Sequence, residues 1–285
     1  MTATQQDSLA AASGSAVVDT AATWLFVPGD RPDRFAKAQA AGADLVVLDL
    51  EDAVAPDRKD EARDYVHQWL AGGNRSAVRI NAAGTRWYAE DLAMLAQHRA
   101  VVVMIPKAEE PGALLNAAAG LDSPVFIALI ETAQGVLNAA ALADAAEVRR
   151  LAIGTFDLAA QLGIDPSDRE ALAAARSALV LASAAAGLPG PIDGVTGSID
   201  EPEILTADVN YARLLGFAGK LCIHPRQVAT AAAALRPSAD EIRWATSVVE
   251  ATTADGVAVL NGQMIDKPVV DRAHRILLQA GTARS

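Results

Sequence analysis

Five consecutive apolar residues, Phe126 to Ile130, run directly into Glu131 in "FIALIETAQG" (126–135). The run is too short for an ordinary helix and has the length of a buried strand. An unpartnered carboxylate at its end is costly, so Glu131 either faces water or holds something. Asp157 stands in the same relation to a second apolar run, in "LAIGTFDLAAQLG" (151–163). Two carboxylates brought close together repel, and one takes up a proton unless a cation lies between them. Two carboxylate oxygens with open positions suit Mg²⁺, which keeps waters and takes oxygens from a substrate. The thiolate or multi-histidine spacing of a zinc site is absent. The plainer alternative is a pair of hydrogen-bonded structural carboxylates.

Arg79 lies inside a third run, "AVRINAAGT" (77–85), and needs an anionic partner if it points inward. Other runs are followed by "PGDRPDR" (28–34) with Arg31 and Arg34, "DLEDAV" (49–54) with Asp49, Glu51 and Asp52, "PKAE" (106–109), and "CIHP" (222–225) with His224. Each of these alone is at home as a loop or helix-capping residue. His224 suits a cap or a core as well as a function, and Asp44 and Asp60 read as solvated helix-face or cap residues.

The elements that must position these groups follow from the pattern. Strands are expected at Trp24–Pro28, Leu45–Leu50, Ala77–Asn81, Val101–Ile105, Val125–Ile130, Leu151–Ile153, Pro191–Gly194 and Lys220–Ile223. Helical stretches separate them, among them Asp33–Ala41, Asp57–Leu70 and Ser167–Ala186. Eight strands alternating with helices predict a (β/α)8 barrel, in which all strand ends converge on one face. A doubly wound open sheet is the alternative, weakened because no GxGxxG follows the first strand.

Of 285 residues, 52% are hydrophobic and only 4% aromatic, with a formal net charge of -11. A single large core is feasible at this length, and the acidic balance argues against a nucleic-acid partner. The lone Cys222 excludes an intrachain disulfide and fits a reducing, cytoplasmic compartment. Residues 1–22 have neither the basic start nor the apolar core of a signal peptide and are expected to form a flexible tail. No run approaches a membrane span.

Eight segments occur in one order: "WLFVPGDRPDRFAKA", "DLVVLDLEDAVAPDRKDEAR", "VRINAAGT", "MIPKAE", "ALIETAQGVLNA", "GTFDLAAQLG", "CIHPRQV" and "GQMIDKP". Together they resemble the citrate lyase beta-subunit-like family of the HpcH/HpaI aldolase superfamily, over residues 23–280. The resemblance implies a Mg²⁺-dependent barrel acting on CoA thioesters of hydroxy acids. Such an enzyme makes or breaks the bond between an acetyl-type enolate and an α-keto acid such as oxaloacetate, glyoxylate or pyruvate. It implies that Glu131 and Asp157 hold the metal, that Arg79 contacts the substrate's oxygens, and that Glu131 also lies against the substrate. Arg31, Glu51 and Asp52 match loop motifs that line the pocket. Asp266, in "GQMIDKP", resembles an acid that members lend to a neighbouring subunit's site, within a homotrimer or a dimer of trimers. Relatives usually carry an acidic residue where Phe156 stands.

Three other activities are compatible with parts of this pattern: a class II pyruvate aldolase, a malyl-CoA-type thioesterase, and a catalytically silent acyl-CoA-binding subunit. An enolate needs its charge stabilised where it forms, which suits the planar fork of Arg79. Asp266 is the candidate base in the condensing direction, or else the N-cap of a helix starting at Pro268. The expected division is a tail over 1–22, a barrel over 23–235 and a C-terminal lid or oligomerisation segment over 236–285. In the last, a helix over 236–252 is capped by Ser238 and Glu241. An exposed crossing spans 254–268, and a final helix over 268–281 carries the apolar stripe Val269, Ile276 and Leu277, which needs a surface to cover.

Overall fold

In a computed structural model, residues 16–251, 258–260 and 263–282 are described. Eight parallel strands close into a barrel in sequence order, β1 pairing with both β2 and β8. They are β1 (Thr23–Pro28), β2 (Leu45–Asp49), β3 (Ala77–Arg79), β4 (Val102–Ile105), β5 (Val125–Ile130), β6 (Val148–Ile153), β7 (Ile192–Asp193) and β8 (Gly219–Cys222). The expected (β/α)8 barrel is therefore the fold, and each expected strand has its counterpart. β6 starts three residues earlier than its apolar run indicates, because Arg149 and Arg150 hide its first half from a hydrophobicity pattern.

Period-two alternation decides what the barrel encloses. Leu45 and Val47 of β2, Ala77 of β3, Val102 and Met104 of β4, and Val125, Ile127 and Leu129 of β5 form one cluster with Trp24, Ala152, Ile192 and Leu221. Continuing the same alternation one step past that cluster gives Asp49, Arg79 and Glu131. The polar residues thus extend the inward rows beyond the hydrocarbon layers, at the C-terminal ends of the strands.

The opposite end is floored by residues assigned from sequence to the tail. Residues 16–20 make a helical turn, and Val18 and Ala21 are buried in the barrel cluster. The reason is Arg150, 1% exposed, which donates to the carbonyls of Val18, Ala21 and Gly190. Burial lowers its pKa to about 10. Residues 1–15 of the expected tail lie outside the described residues.

The chain divides into two compact units, Met1–Ala231 and Ala232–Ser285. In the second, the helix Ala239–Ala251 begins at the expected capping box: Glu241 N–H donates to Ser238 Oγ at 3.1 Å and Ser238 N–H to Glu241 Oε2 at 2.8 Å. The crossing expected over 254–268 instead contains an antiparallel pair, β9 (Ala258–Leu260) with β10 (Gln263–Ile265). Asn261-Gly262, between these strands in the sequence, is the dipeptide hairpins favour, a signal the apolar pattern alone overlooks. The last helix, Lys267–Thr282, does not leave its stripe open. Val269, Ile276 and Leu277 pack with Ala245, Val248 and Trp244 of the preceding helix, so the surface they require is supplied within the same unit. Among the described residues no helix is long and apolar enough to cross a membrane.

Candidate active site

Arg79 has the anionic partner its position demands. Its Nε and Nη2 donate to the two carboxylate oxygens of Asp49 at 2.7 and 2.6 Å, across the β2–β3 pair where Asp49 and Arg79 are in register. Nη1 turns to Glu51 Oε2 at 3.3 Å, with Asp52 Oδ2 at 3.9 Å. The guanidinium lies 4.8 Å from the centre of the Phe26 ring. Burial alone would lower its pKa; the charge and hydrogen bonds of Asp49, and then the charge of Glu51, overturn this and leave it raised. Asp49 is 1% exposed and also accepts the N–H groups of Glu51 and Ala53. It therefore fixes the arginine and the loop after β2 together.

Glu131 is 2% exposed. Its Oε1 accepts the backbone N–H of Lys107 at 2.8 Å. Lys107 directs that N–H by adopting a φ of 48°, a left-handed conformation that a non-glycine residue holds only against a cost. Its Nζ donates to Glu51 Oε1 at 2.8 Å and lies 3.9 Å from Glu131. On the other side Gly154 leaves room for the carboxylate: a Cβ there would sit 2.5 Å from both Glu131 Cβ and Oε2. Burial, followed by the charges of Glu51 and Asp157, raises the Glu131 carboxyl to about 8 against the pull of Lys107. Burial also raises Glu51, with Arg79 and Lys107 opposing.

A cavity of about 220 Å³ is lined by Asp49, Arg79, Glu131 and Gly154 of this group. Its polar lining contains Asp49, Asp52, Arg79, Glu131 and Asp157, together with Gly154 and Thr155. Among the described residues no group of three or more His, Cys, Asp or Glu forms a metal cage. Two carboxylates on one cavity wall are the donor set of a hard cation that completes its shell with water and substrate. The buried Oε2 of Glu51 faces Nη1 of Arg79 at 3.3 Å without a hydrogen bond, a further acceptor beside this wall. Glu131 and Asp157 thus fit Mg²⁺ by charge and donor type.

The other sequence candidates are placed as follows. Glu51 is buried beside Arg79 and Lys107, and Asp52 lines the cavity with a largely exposed side chain. Arg31 is absent from the cavity lining; its guanidinium is held by Asp33 at 3.0 Å. Asp266 belongs to the second unit, is exposed, and accepts the N–H of Val269 at 3.4 Å, the capping position. His224 caps the helix Pro225–Leu235, its Nδ1 accepting the N–H of Arg226. Asp44 ties down the start of β1 by accepting from Thr23. Asp49 and Lys107, which the sequence places in loop motifs without a role, prove to be neighbours of the site. Asp49 was legible from the row Leu45, Val47, Asp49. For Lys107 no sequence signal announces a positive φ.

Residues 22–225 match the HpcH/HpaI aldolase/citrate lyase family. The chain belongs to that family. It is 39% identical to a citrate lyase subunit beta-like protein of Mycobacterium tuberculosis, over 92% of this chain and 96% of the relative. It is 37% identical to a (3S)-malyl-CoA thioesterase of Cereibacter sphaeroides, over 90% of this chain and 93% of that one. Among solved structures it resembles CitE of M. tuberculosis in complex with magnesium, acetoacetate and coenzyme A. The TM-score is 0.84 at 39% identity, over 92% of this chain and 98% of that one. A second structure from that organism, a citrate lyase beta subunit with oxaloacetate and magnesium, matches with a TM-score of 0.70 at 39% identity, over 78% and 99% of the two chains. The HpcH/HpaI barrel is thus shared with proteins whose structures hold these molecules.

Proposed function

We propose that this family member is a Mg²⁺-dependent carbon–carbon lyase acting on a 3-hydroxyacyl-CoA thioester of malyl, citramalyl or citryl type. Its products are acetyl-CoA, or a similar acyl-CoA, and an α-keto acid: glyoxylate, pyruvate or oxaloacetate. The observation that carries this is the one cavity lined by the buried Glu131, the exposed Asp157 and the bidentate-held Arg79. Glu131 and Asp157 would hold the metal. Bound there, Mg²⁺ supplies Lewis-acid polarisation of the keto-acid oxygens.

In cleavage the substrate hydroxyl loses its proton and the adjacent C–C bond breaks. The electron pair passes to the α-carbon of the thioester, and the resulting enolate takes up a proton. Arg79 is oriented for this by Asp49, which occupies two of its three nitrogens and leaves Nη1 directed towards the loop of Glu51 and Asp52. A donor fixed in advance stabilises developing charge without reorganising. Glu51 and Asp52 border the substrate, while Arg31 stands outside the cavity lining, held by Asp33. Asp266 exchanges the proton with the enolate carbon, brought in from a neighbouring subunit of a homotrimer or a dimer of trimers. Its exposed position at a helix start leaves the carboxylate available.

Incubating the protein and Mg²⁺ with malyl-, citramalyl- and citryl-CoA, with products followed by mass spectrometry, tests the proposal. Keto acid and acyl-CoA are expected from at least one substrate. The 37% identity to a malyl-CoA thioesterase favours hydrolysis as the second reading, which would give free hydroxy acid and CoA without a keto acid. Mixing Asp266→Ala with Glu131→Gln subunits tests sharing: activity returns in mixed oligomers if Asp266 serves its neighbour.

A further inference from the structure

Beside its polar groups, the cavity is lined by Leu129, Ile153, Phe156, Val195, Leu221 and Ile223. Leu129, Ile153 and Leu221 are at most 2% exposed, but Phe156 is 47% and Ile223 40% exposed. The Phe156 ring lies against Gly197, where a Cβ would come within 3.3 Å of its Cζ. Ile223 is held by Gln227, which accepts its N–H at 2.9 Å and donates to the carbonyls of Thr196 and Ser198. Large apolar side chains kept open inside a cavity recover hydrophobic free energy when an apolar group of the ligand covers them.

The charges point the same way. Among the described residues lining the cavity, Arg79 is the one cation, and it is already paired with Asp49. Lys107, beside the site, is bonded to Glu51. A substrate carboxylate beyond the one that chelates the metal would meet only this hydrocarbon and the carboxylates of Asp49, Asp52 and Glu131 in addition to the paired Arg79.

Building on the proposed lyase reaction, we infer that Phe156 and Ile223 select substrates whose hydroxyl-bearing carbon carries an uncharged alkyl group, methyl or larger. Substrates with hydrogen or a carboxymethyl group at that carbon are selected against. The substrate class is R–C(OH)(COO⁻)–CH₂–CO–S-CoA with R an alkyl group. Cleavage breaks the bond between the hydroxyl-bearing carbon and the CH₂. The hydroxyl proton passes to solvent, the bonding pair becomes the enolate, and the former CH₂ carbon takes up one proton, so R–CO–COO⁻ and acetyl-CoA form with no net oxidation.

The test compares thioesters with R as hydrogen, methyl, isopropyl and carboxymethyl, using the parent, Phe156→Ala and the conservative Phe156→Leu. In the parent, kcat/KM is expected to rise about tenfold or more per added carbon, with carboxymethyl lowest. Phe156→Ala should cut the isopropyl-to-hydrogen ratio at least tenfold, and Phe156→Leu should restore part of it. A parent preference for carboxymethyl, or an unchanged ratio in Phe156→Ala, overturns the inference. An equal loss on every thioester also overturns it, because Phe156 would then be covering the CoA portion or supporting the fold. Calorimetry with Mg²⁺ and the free keto acids 3-methyl-2-oxobutanoate, glyoxylate and oxaloacetate gives a readout that needs no turnover. Tighter binding of the branched acid, weakened in Phe156→Ala, supports the selection even if no thioester is cleaved. Equal or reversed binding overturns it, whereas failure of the lyase reaction itself shows as no keto acid from any thioester.

Discussion

Substituting Gly154→Ala adds one methyl group at the point where the proposed metal ligand is packed. That Cβ would lie 2.5 Å from Glu131 Cβ and 2.5 Å from Oε2, about 1 Å short of ordinary carbon contact. The backbone at Gly154 has a φ of -96°, which alanine tolerates, so the conflict is steric and not conformational. Gly154 cannot retreat freely, because its N–H donates to the carbonyl of Ile130 at 2.9 Å. Relief must come from Glu131, whose Oε1 is held by Lys107 N–H, and the carboxylate swings away from its packed position. Small displacements of a ligand's support typically cost about 10–100-fold in metal affinity, and overpacking of this kind costs about 1–3 kcal/mol of stability. Titrating Mg²⁺ calorimetrically into parent, Gly154→Ala and Gly112→Ala measures the first effect. Nothing lies within 4 Å of a Cβ at Gly112, which makes it the control. If folded Gly154→Ala binds Mg²⁺ within twofold of the parent, Glu131 does not hold the metal in this position.

Arg79→Lys keeps the charge but cannot reproduce the three-sided fork, so kcat should fall about 10²–10³-fold; activity within a few-fold of the parent would make Arg79 structural. Arg150→Met removes the donor for the carbonyls of Val18, Ala21 and Gly190. The Ala21 carbonyl keeps the Trp24 indole N–H, but at about 1–3 kcal/mol for each buried group left unsatisfied the urea midpoint should drop clearly while Mg²⁺ affinity stays within a few-fold. Asp193 is fully buried on the outer face of the barrel between Lys220 at 2.8 Å and Arg176 at 3.0 Å. Burial would raise its carboxyl, but the two cations leave it lowered. Its stabilisation is therefore complete above the unfolded value of about 3.9 and is lost as pH falls through the lower folded value. Urea midpoints measured from pH 6 down to 3 should fall in the acid range. Asp193→Asn should be about 3–5 kcal/mol less stable at pH 6, with a shallower acid dependence; identical pH profiles would exclude Asp193 as a contributor.

The barrel was legible because its determinants are local. Apolar runs of strand length separated by helical stretches recur along the chain, and burial on both faces makes each run readable without knowing its neighbours. The carboxylates and the arginine were legible because charged residues at the ends of such runs contradict burial unless they have work to do. Their alternation with Val47, Ala77 and Leu129 even places Asp49, Arg79 and Glu131 on one face. The sequence by itself therefore determined the barrel, the face on which the polar groups gather and the donor types available to a cation. Tertiary structure alone decided who partners whom. Asp49 rather than a ligand takes two nitrogens of Arg79, because the β2–β3 register sets the two residues side by side. Lys107 serves Glu131 through its backbone, with a φ of 48° that no residue pattern encodes. Arg150 draws residues 16–22 under the barrel, where composition read only a polar tail. The stripe on the last helix finds its cover on the helix before it. Periodicity shows that an apolar face must be buried, whereas the surface that buries it depends on contacts between residues distant in the chain.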